Sequence, residues 1–150
     1  MLVSCGTKLI AATVVAMAGL GCSAYAGPQE ANLITLVNQV RQAKGRKPLV
    51  ISPALMAAAE NHAQDMVNKG YFSHTGKNGS TMGKRIKRQD YTFCYAAENI
   101  AWGQKSAAEA MQAWQASSGH KKNNLSRKPT QVGAGFAGKK MWVMVFAKPC

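Results

Sequence analysis

A three-layer α/β/α sandwich around a small antiparallel central sheet is the fold that this sequence predicts, and three observations point to it. The last apolar run, Met141-Trp142-Val143-Met144-Val145-Phe146, is hydrophobic at odd and even positions alike, and a strand of that kind needs cover on both faces. The run before it, Gln131 to Ala137, alternates Val132, Ala134 and Phe136 with Gly133 and Gly135, so one face lacks side chains and lets a helix approach closely. Upstream lie stretches whose apolar residues recur at helical spacing, each with a face to bury. Strands with helices packed above and below give layers, and 150 residues that are 47% hydrophobic supply one core.

The first 26 residues read as a cleaved export signal. Lys8 gives a positive start, Leu9 to Leu20 is apolar or small throughout, and Ala24-Tyr25-Ala26 places small residues ahead of Gly27. The apolar run falls short of the roughly 20 residues a membrane span needs, and no later segment is long enough. Residues 27–150 then form a single domain, soluble and either secreted or periplasmic. Cys22 permits the alternative of a lipid attachment site, although Gly19 stands where a large apolar residue is usual three places upstream.

With Cys5 and Cys22 removed, Cys94 and Cys150 remain. In an oxidising compartment they are expected to bridge, the alternative being two unpaired thiols. Closing so long a loop contributes about 2–4 kcal/mol. The formal net charge is +13, or +12 once Lys8 leaves with the leader. For an exported protein the polyanions within reach are envelope lipids, lipopolysaccharide or cell-wall polymer, so nucleic acid is not an expected partner.

From Glu30 to Ala43, Leu33, Leu36, Val37 and Val40 fall on one helical face, with Asn38 and Arg41 on its shoulder. Arg41 reads as an exposed arginine, with a loop anchor as the alternative. Lys47-Pro48-Leu49-Val50-Ile51 is extended, because the residue before a proline avoids helical angles. Ser52 caps a second helix with Pro53 at its first position. The buried face of that helix runs Leu55, Ala58, Ala59, His62, Ala63 and Met66, which makes His62 a hydrogen-bonded core histidine. Gly70 ends it. Gly76-Lys77-Asn78-Gly79 is a turn, and Ser80 or Thr81 caps a short helix through Ile86. The surrounding Lys84-Arg85-Ile86-Lys87-Arg88 reads as a solvated basic face.

Tyr91 to Tyr95 is an edge strand or extended run leading into Ala96-Ala97-Glu98-Asn99-Ile100-Ala101, closed by Gly103. Ser106-Ala107-Ala108-Glu109 is a capping box, opening a helix whose inward face is Ala107, Ala110, Met111 and Trp114 and which stops at Ser118-Gly119. His120 then lies just past the helix end, and Lys121 to Pro129 is a polar, basic loop. Two strands, Gln131 to Ala137 and Met141 to Ala147, join through Gly138-Lys139-Lys140 as a hairpin.

The chemistry-bearing residues are few. His74, in Gly70-Tyr71-Phe72-Ser73-His74-Thr75-Gly76, sits between two small hydroxyl residues ahead of a glycine-rich turn, a poor place to bury an imidazole, and is expected to face a cleft. Glu98 and His120 are two further groups that donate, accept or ligate. If the three meet, two histidines and a glutamate form a divalent-metal set for zinc, with a position open for water. The bland reading has them as hydrogen-bonded groups that order the cleft. Ser73 and Ser117 lie near candidate bases in sequence, but neither has a nucleophile-elbow context.

Taken together, Asn38 and Arg41, Pro48-Leu49, His62-Ala63 with Met66, Phe72 with His74, Gly79, Arg85-Ile86, Glu98-Asn99-Ile100, Trp114 with Ser117 and Gly119-His120, Asn123 and Thr130-Gln131-Val132-Gly133-Ala134-Gly135 carry a resemblance over nearly all of the mature chain. The chain resembles the CAP superfamily of cysteine-rich secretory proteins, antigen 5 and pathogenesis-related 1 proteins, in particular its short bacterial, SCP-like members. The resemblance implies an α/β/α sandwich and a cleft with two histidines and two acidic residues. His74 matches the first histidine and Glu98 the first acid. Ser117 stands where the second acid is expected and Lys128 where a histidine would precede the Thr-Gln-Val strand, so His120 is expected to fill the cleft from another direction.

Relatives include sterol and fatty-acid binders and proteins acting on extracellular partners. The resemblance therefore implies an exported, monomeric binding or interaction module for a lipid, envelope component or extracellular protein. Its ligand-binding cleft would be His74, Glu98, His120 and Ser117. The alternative is a metal-assisted, peptidase-like hydrolase using the same cleft.

Overall fold

The computed structural model describes residues 27–150 apart from Lys139. The expected leader, residues 1–26, and the centre of the hairpin turn at Lys139 lie outside the described residues. The elements run α1 (Pro28–Ala43), β1 (Val50–Ile51), α2 (Pro53–Lys69), α3 (Met82–Lys87), β2 (Phe93–Trp102), α4 (Ala107–Ala116), α5 (Ser118–Leu125), β3 (Gln131–Ala137) and β4 (Met141–Pro149).

The sheet has the order β1-β3-β4-β2. β4 pairs antiparallel with β3 and with β2, while the two-residue β1 adds a parallel edge through Val50–Gln131 and Ile51–Val132. This sets β4 at the centre, which is why its side chains are buried from Met141 to Ala147. Trp142, Met144 and Phe146 point into one core with Leu33, Ile34 and Val37 of α1 and Ala110, Met111 and Trp114 of α4. Met141, Val143, Val145 and Ala147 point into the other with Leu55, Ala58, Ala59, Ala63 and Met66 of α2 and Ile86 of α3. Alternation along one strand thus feeds two cores, the three-layer sandwich that the sequence predicts.

The glycines of β3 fix how closely α2 lies on the sheet. A Cβ at Gly133 would collide with the α2 backbone at Leu55 and Met56, and one at Gly135 with Ala59 and Glu60. Local capping agrees with the sequence. The Ser52 hydroxyl accepts from Leu55 N, Thr81 from Lys84 N and Ser106 from Glu109 N, and Gly70 takes the left-handed conformation at the end of α2. Cys94 and Cys150 form the expected disulfide, with Cα atoms 4.8 Å apart. It ties the start of β2 to the last residue after β4.

Three expectations need correction. Residues 121–129 are not all loop, because α5 occupies Ser118–Leu125 and places His120 in its first turn. Its polar sequence has little apolar face, and the helix is held instead from its C-terminal end. Arg41 donates from Nη1 to Asn124 O at 2.8 Å and Ser126 O at 2.9 Å, and Arg46 from Nε to Leu125 O at 3.1 Å, satisfying carbonyls that a helix terminus leaves orphaned. Arg41 is therefore not an exposed arginine. It is 2% exposed, and its Nε also donates to Lys47 O at 2.9 Å, anchoring the loop after α1. Nor is the 84–88 run wholly a solvated face, since Arg85 is buried beside Ile86.

Gly133→Ala tests the close approach of α2. The extra methyl must displace helix backbone rather than a flexible side chain, so the expected loss is about 2–3 kcal/mol of unfolding free energy, measured by denaturant titration with retention of the far-UV circular dichroism spectrum.

Candidate functional site

β2 lies at a sheet edge, and helices from both layers reach around it. Successive residues of a strand point to opposite faces, so Glu98 faces the layer of α2 and α3 while Asn99 faces that of α4 and α5. The outward backbone of β2 is sealed by side chains. Trp114 Nε1 donates to Ile100 O at 3.1 Å and Asn123 Nδ2 to Glu98 O at 3.3 Å. Asparagines then fasten α5 in place: Asn99 Nδ2 donates to Asn124 Oδ1 at 2.9 Å and to His120 O at 3.1 Å, and Asn123 Nδ2 to Asn99 Oδ1 at 2.8 Å. Sealing an edge this way removes a template for further strand pairing.

On the opposite face, the Glu98 carboxylate is almost fully buried, its side chain 3% exposed, and both oxygens have partners. Oε2 accepts from Arg85 Nη2 at 2.8 Å, and Oε1 lies 2.8 Å from His74 Nδ1. Against a carboxylate held as an ion pair, that imidazole nitrogen is the donor. Arg85 Nη1 also donates to His74 O at 3.0 Å and Ser80 O at 2.9 Å. One guanidinium thus fixes the carboxylate, the loop backbone and, through the carboxylate, the ring. His62, on the buried face of α2, lies with Nε2 2.9 Å from Ser73 O, a contact that steadies the same loop from below. A backbone carbonyl only accepts, so the His62 nitrogen donates. Burial holds the His62 pKa below the usual imidazole range, and Arg85 pushes in the same direction against the opposing effects of Glu98, the Ser73 carbonyl and Asp65.

His74, Glu98, Ser117 and His120, the four cleft residues read from the sequence, line one open cavity of about 600 Å³ together with Tyr95, Asn123, Lys122 and Lys128. His74 enters from the loop after α2 and His120 from α5, so the cavity straddles the β2 edge. The His120 pKa is lowered by burial and by the neighbouring His74 imidazole. Lys128 reaches over the Tyr95 ring, its Nζ 5.4 Å from the centroid. Ser117 is the extended residue between α4 and α5. It breaks one helix and starts the next, and Ser73 spends its hydroxyl on Thr75 N at 3.1 Å.

As placed, these donors do not assemble the zinc set that the sequence left possible. Both carboxylate oxygens and His74 Nδ1 are engaged with one another or with Arg85, whose positive charge lies 2.8 Å from the would-be ligand. Among the described residues no group of three or more His, Cys, Asp or Glu side chains is gathered closely enough to hold a metal ion. Arg85 is the site residue that sequence reasoning placed on the surface. Its position next to the buried Ile86 was the available signal, and only tertiary structure reveals the carboxylate it meets.

An α/β/α sandwich whose edge cleft joins a histidine, a glutamate and a buried arginine defines a class of domain, and comparison with known proteins gives that class its family. The CAP model, cysteine-rich secretory protein family, matches residues 34–146. The chain belongs to this family. It is 37% identical over 107 residues to YkwD of Bacillus subtilis and 30% identical over 106 residues to the membrane protein YlbC of the same organism. Each match covers 71% of this chain, and the chain spans only 42% and 31% of the length of those relatives. Among solved structures, an extracellular SCP-domain protein of Bacillus anthracis superimposes with a TM-score of 0.78 at 30% identity, over 80% of this chain and 40% of that one. An outer surface protein of Borrelia burgdorferi gives 0.75 at 22% identity, over 80% and 92%, a likeness of fold alone. Among the described residues no helix is long and apolar enough to cross a membrane.

Arg85→Met tests the organising role of the ion pair. Leaving the Glu98 carboxylate buried without its cation costs about 3–5 kcal/mol, and adding Glu98→Gln to the same chain is expected to recover part of that loss in thermal unfolding.

Proposed function

We infer that the protein is an exported binding module whose edge cleft takes the anionic group, phosphate or carboxylate, of a cell-envelope ligand. One observation carries the reading. Glu98, the only carboxylate lining the cleft among the described residues, already has its charge balanced internally by Arg85 at 2.8 Å, while Lys122, Lys128, His74 and His120 leave the rest of the lining basic. A cavity of that balance attracts anions and supplies imidazole and ammonium donors to orient them. Asn123 and Ser117 add neutral polar groups to the same wall. The net charge of +13 favours encounter with anionic envelope polymers or lipid headgroups without choosing among them. Export to a secreted or periplasmic location is part of this reading. It agrees with the extracellular description of the Bacillus anthracis neighbour. The hydrolase alternative is the weaker reading, because the Glu98 carboxylate and His74 Nδ1 are already engaged with each other and with Arg85.

Calorimetric titration with a poly(glycerol phosphate) oligomer, and separately with dispersed phosphatidylglycerol, tests the reading. Lys122→Glu combined with Lys128→Glu is expected to weaken binding about tenfold or more at low salt. Because the folded protein holds the His120 pKa below its usual value, that ring gains its proton only on acidification. Its new charge adds to those of Lys122 and Lys128, so affinity should rise as the pH falls from neutral to about 5, and His120→Ala should flatten the rise. Affinity indifferent to the lysines, to salt and to pH overturns the reading.

A further inference from the structure

A second surface, about 13 Å along β2 from Glu98 at strand spacing, has a different chemistry. Phe72, just after α2, and Trp102, at the end of β2, are 46% and 60% exposed, and their ring centroids lie 6.3 Å apart. They come from separate elements and converge on an open apolar cavity of about 390 Å³, also lined by Met66, Val67, Tyr71 and Met141. Burying both rings in the core would have been the ordinary outcome for side chains of this size.

Exposed lysines frame this surface. Lys69 immediately precedes Gly70 of the lining; Lys77 holds its Nζ 5.9 Å from the Tyr71 ring centroid and donates to Lys69 O at 2.6 Å; Lys140 precedes Met141, and its carbonyl accepts from Gly103 N, next to Trp102, at 3.0 Å. The nearby acid, Asp65, is paired with Lys69 Nζ at 2.5 Å and accepts from the Tyr71 hydroxyl, so Lys77 and Lys140 carry the net positive charge of the surround. The result is an apolar centre with aromatic rims and a cationic surround.

We propose that this surface docks the protein on an anionic lipid bilayer, Phe72 and Trp102 entering the headgroup-acyl boundary while Lys77 and Lys140 face the lipid charges. Aromatic side chains favour that boundary. Clustered lysines add attraction to acidic headgroups. Commitment to a bilayer rather than a protein rests on this charge complementarity and on rings that protrude beside an open cavity. The surface does not depend on the cleft binding anything.

The tryptophans make the test site-specific. Trp114 and Trp142 are 1% and 0% exposed, so changes in emission on docking report Trp102. Purified protein is mixed with phosphatidylcholine vesicles with and without phosphatidylglycerol, some carrying brominated acyl chains. Expected are partition into the anionic vesicles, a blue shift and quenching by bromine. Phe72→Ala with Trp102→Ala should weaken partition about tenfold or more, while Trp102→Phe should keep partition and lose the shift. The cleft variant Lys122→Glu with Lys128→Glu should keep the quenching of whatever fraction is bound, which separates this surface from the cleft. Partition unchanged in the double aromatic variant, or bound protein with unshifted and unquenched emission, overturns the proposal. So does a vesicle-free dimer in sedimentation velocity that the aromatic substitutions abolish, because the surface would then pair two copies.

Discussion

The buried ion pair between Arg85 and Glu98 is the constraint on which the cleft depends. Two groups that would each be expensive to bury alone are placed 2.8 Å apart by α3 and β2, and Nη1 of the same guanidinium donates to the His74 and Ser80 carbonyls. A pair satisfied in this way does more for geometry than for stability, since an apolar pair of similar volume would often fold as well. What it provides is position: the carboxylate cannot turn away from His74, and the loop carrying His74 cannot lift from the helix. The half-exposed ring is thereby oriented by groups that are themselves buried.

The other wall of the cleft depends on a second arginine. α5 has almost no apolar face with which to hold itself down, and Arg41 compensates by bonding the carbonyls at its C-terminal end while Asn99, Asn123 and Asn124 stitch it to β2. The cleft is thus a seam between two layers of a sandwich, closed on each side by a buried guanidinium. Of the nineteen lysines and arginines in the sequence, Arg41 and Arg85 are buried and act as internal fasteners.

The layers were legible in the sequence because they follow from alternation. Met141 to Phe146 is apolar on both faces and needs two covers, and Gly133 and Gly135 mark where a helix lies close. The second helix, its serine cap and its terminal glycine were likewise local signals. The histidine and glutamate of the cleft stood out as polar groups in unusual settings, and the resemblance to CAP proteins paired them. What could not be read were long-range partners. Arg85 and Arg41 look like any basic residue on a helix shoulder until the carboxylate and carbonyls they meet are in place. α5 was missed for a related reason, because its helical state is imposed by tertiary hydrogen bonds and not by propensity or an apolar stripe.

Glu98, held by Arg85, fixes the His74 ring with Nδ1 as donor and Nε2 directed away from the pair. Long-range nitrogen-proton correlation spectra of the imidazole measure that directly at neutral pH. A single Nδ1–H tautomer for His74 is the predicted result. An Nε2–H tautomer, or a mixture like that of free imidazole, would contradict the claim and with it the view that the ion pair organises the cleft.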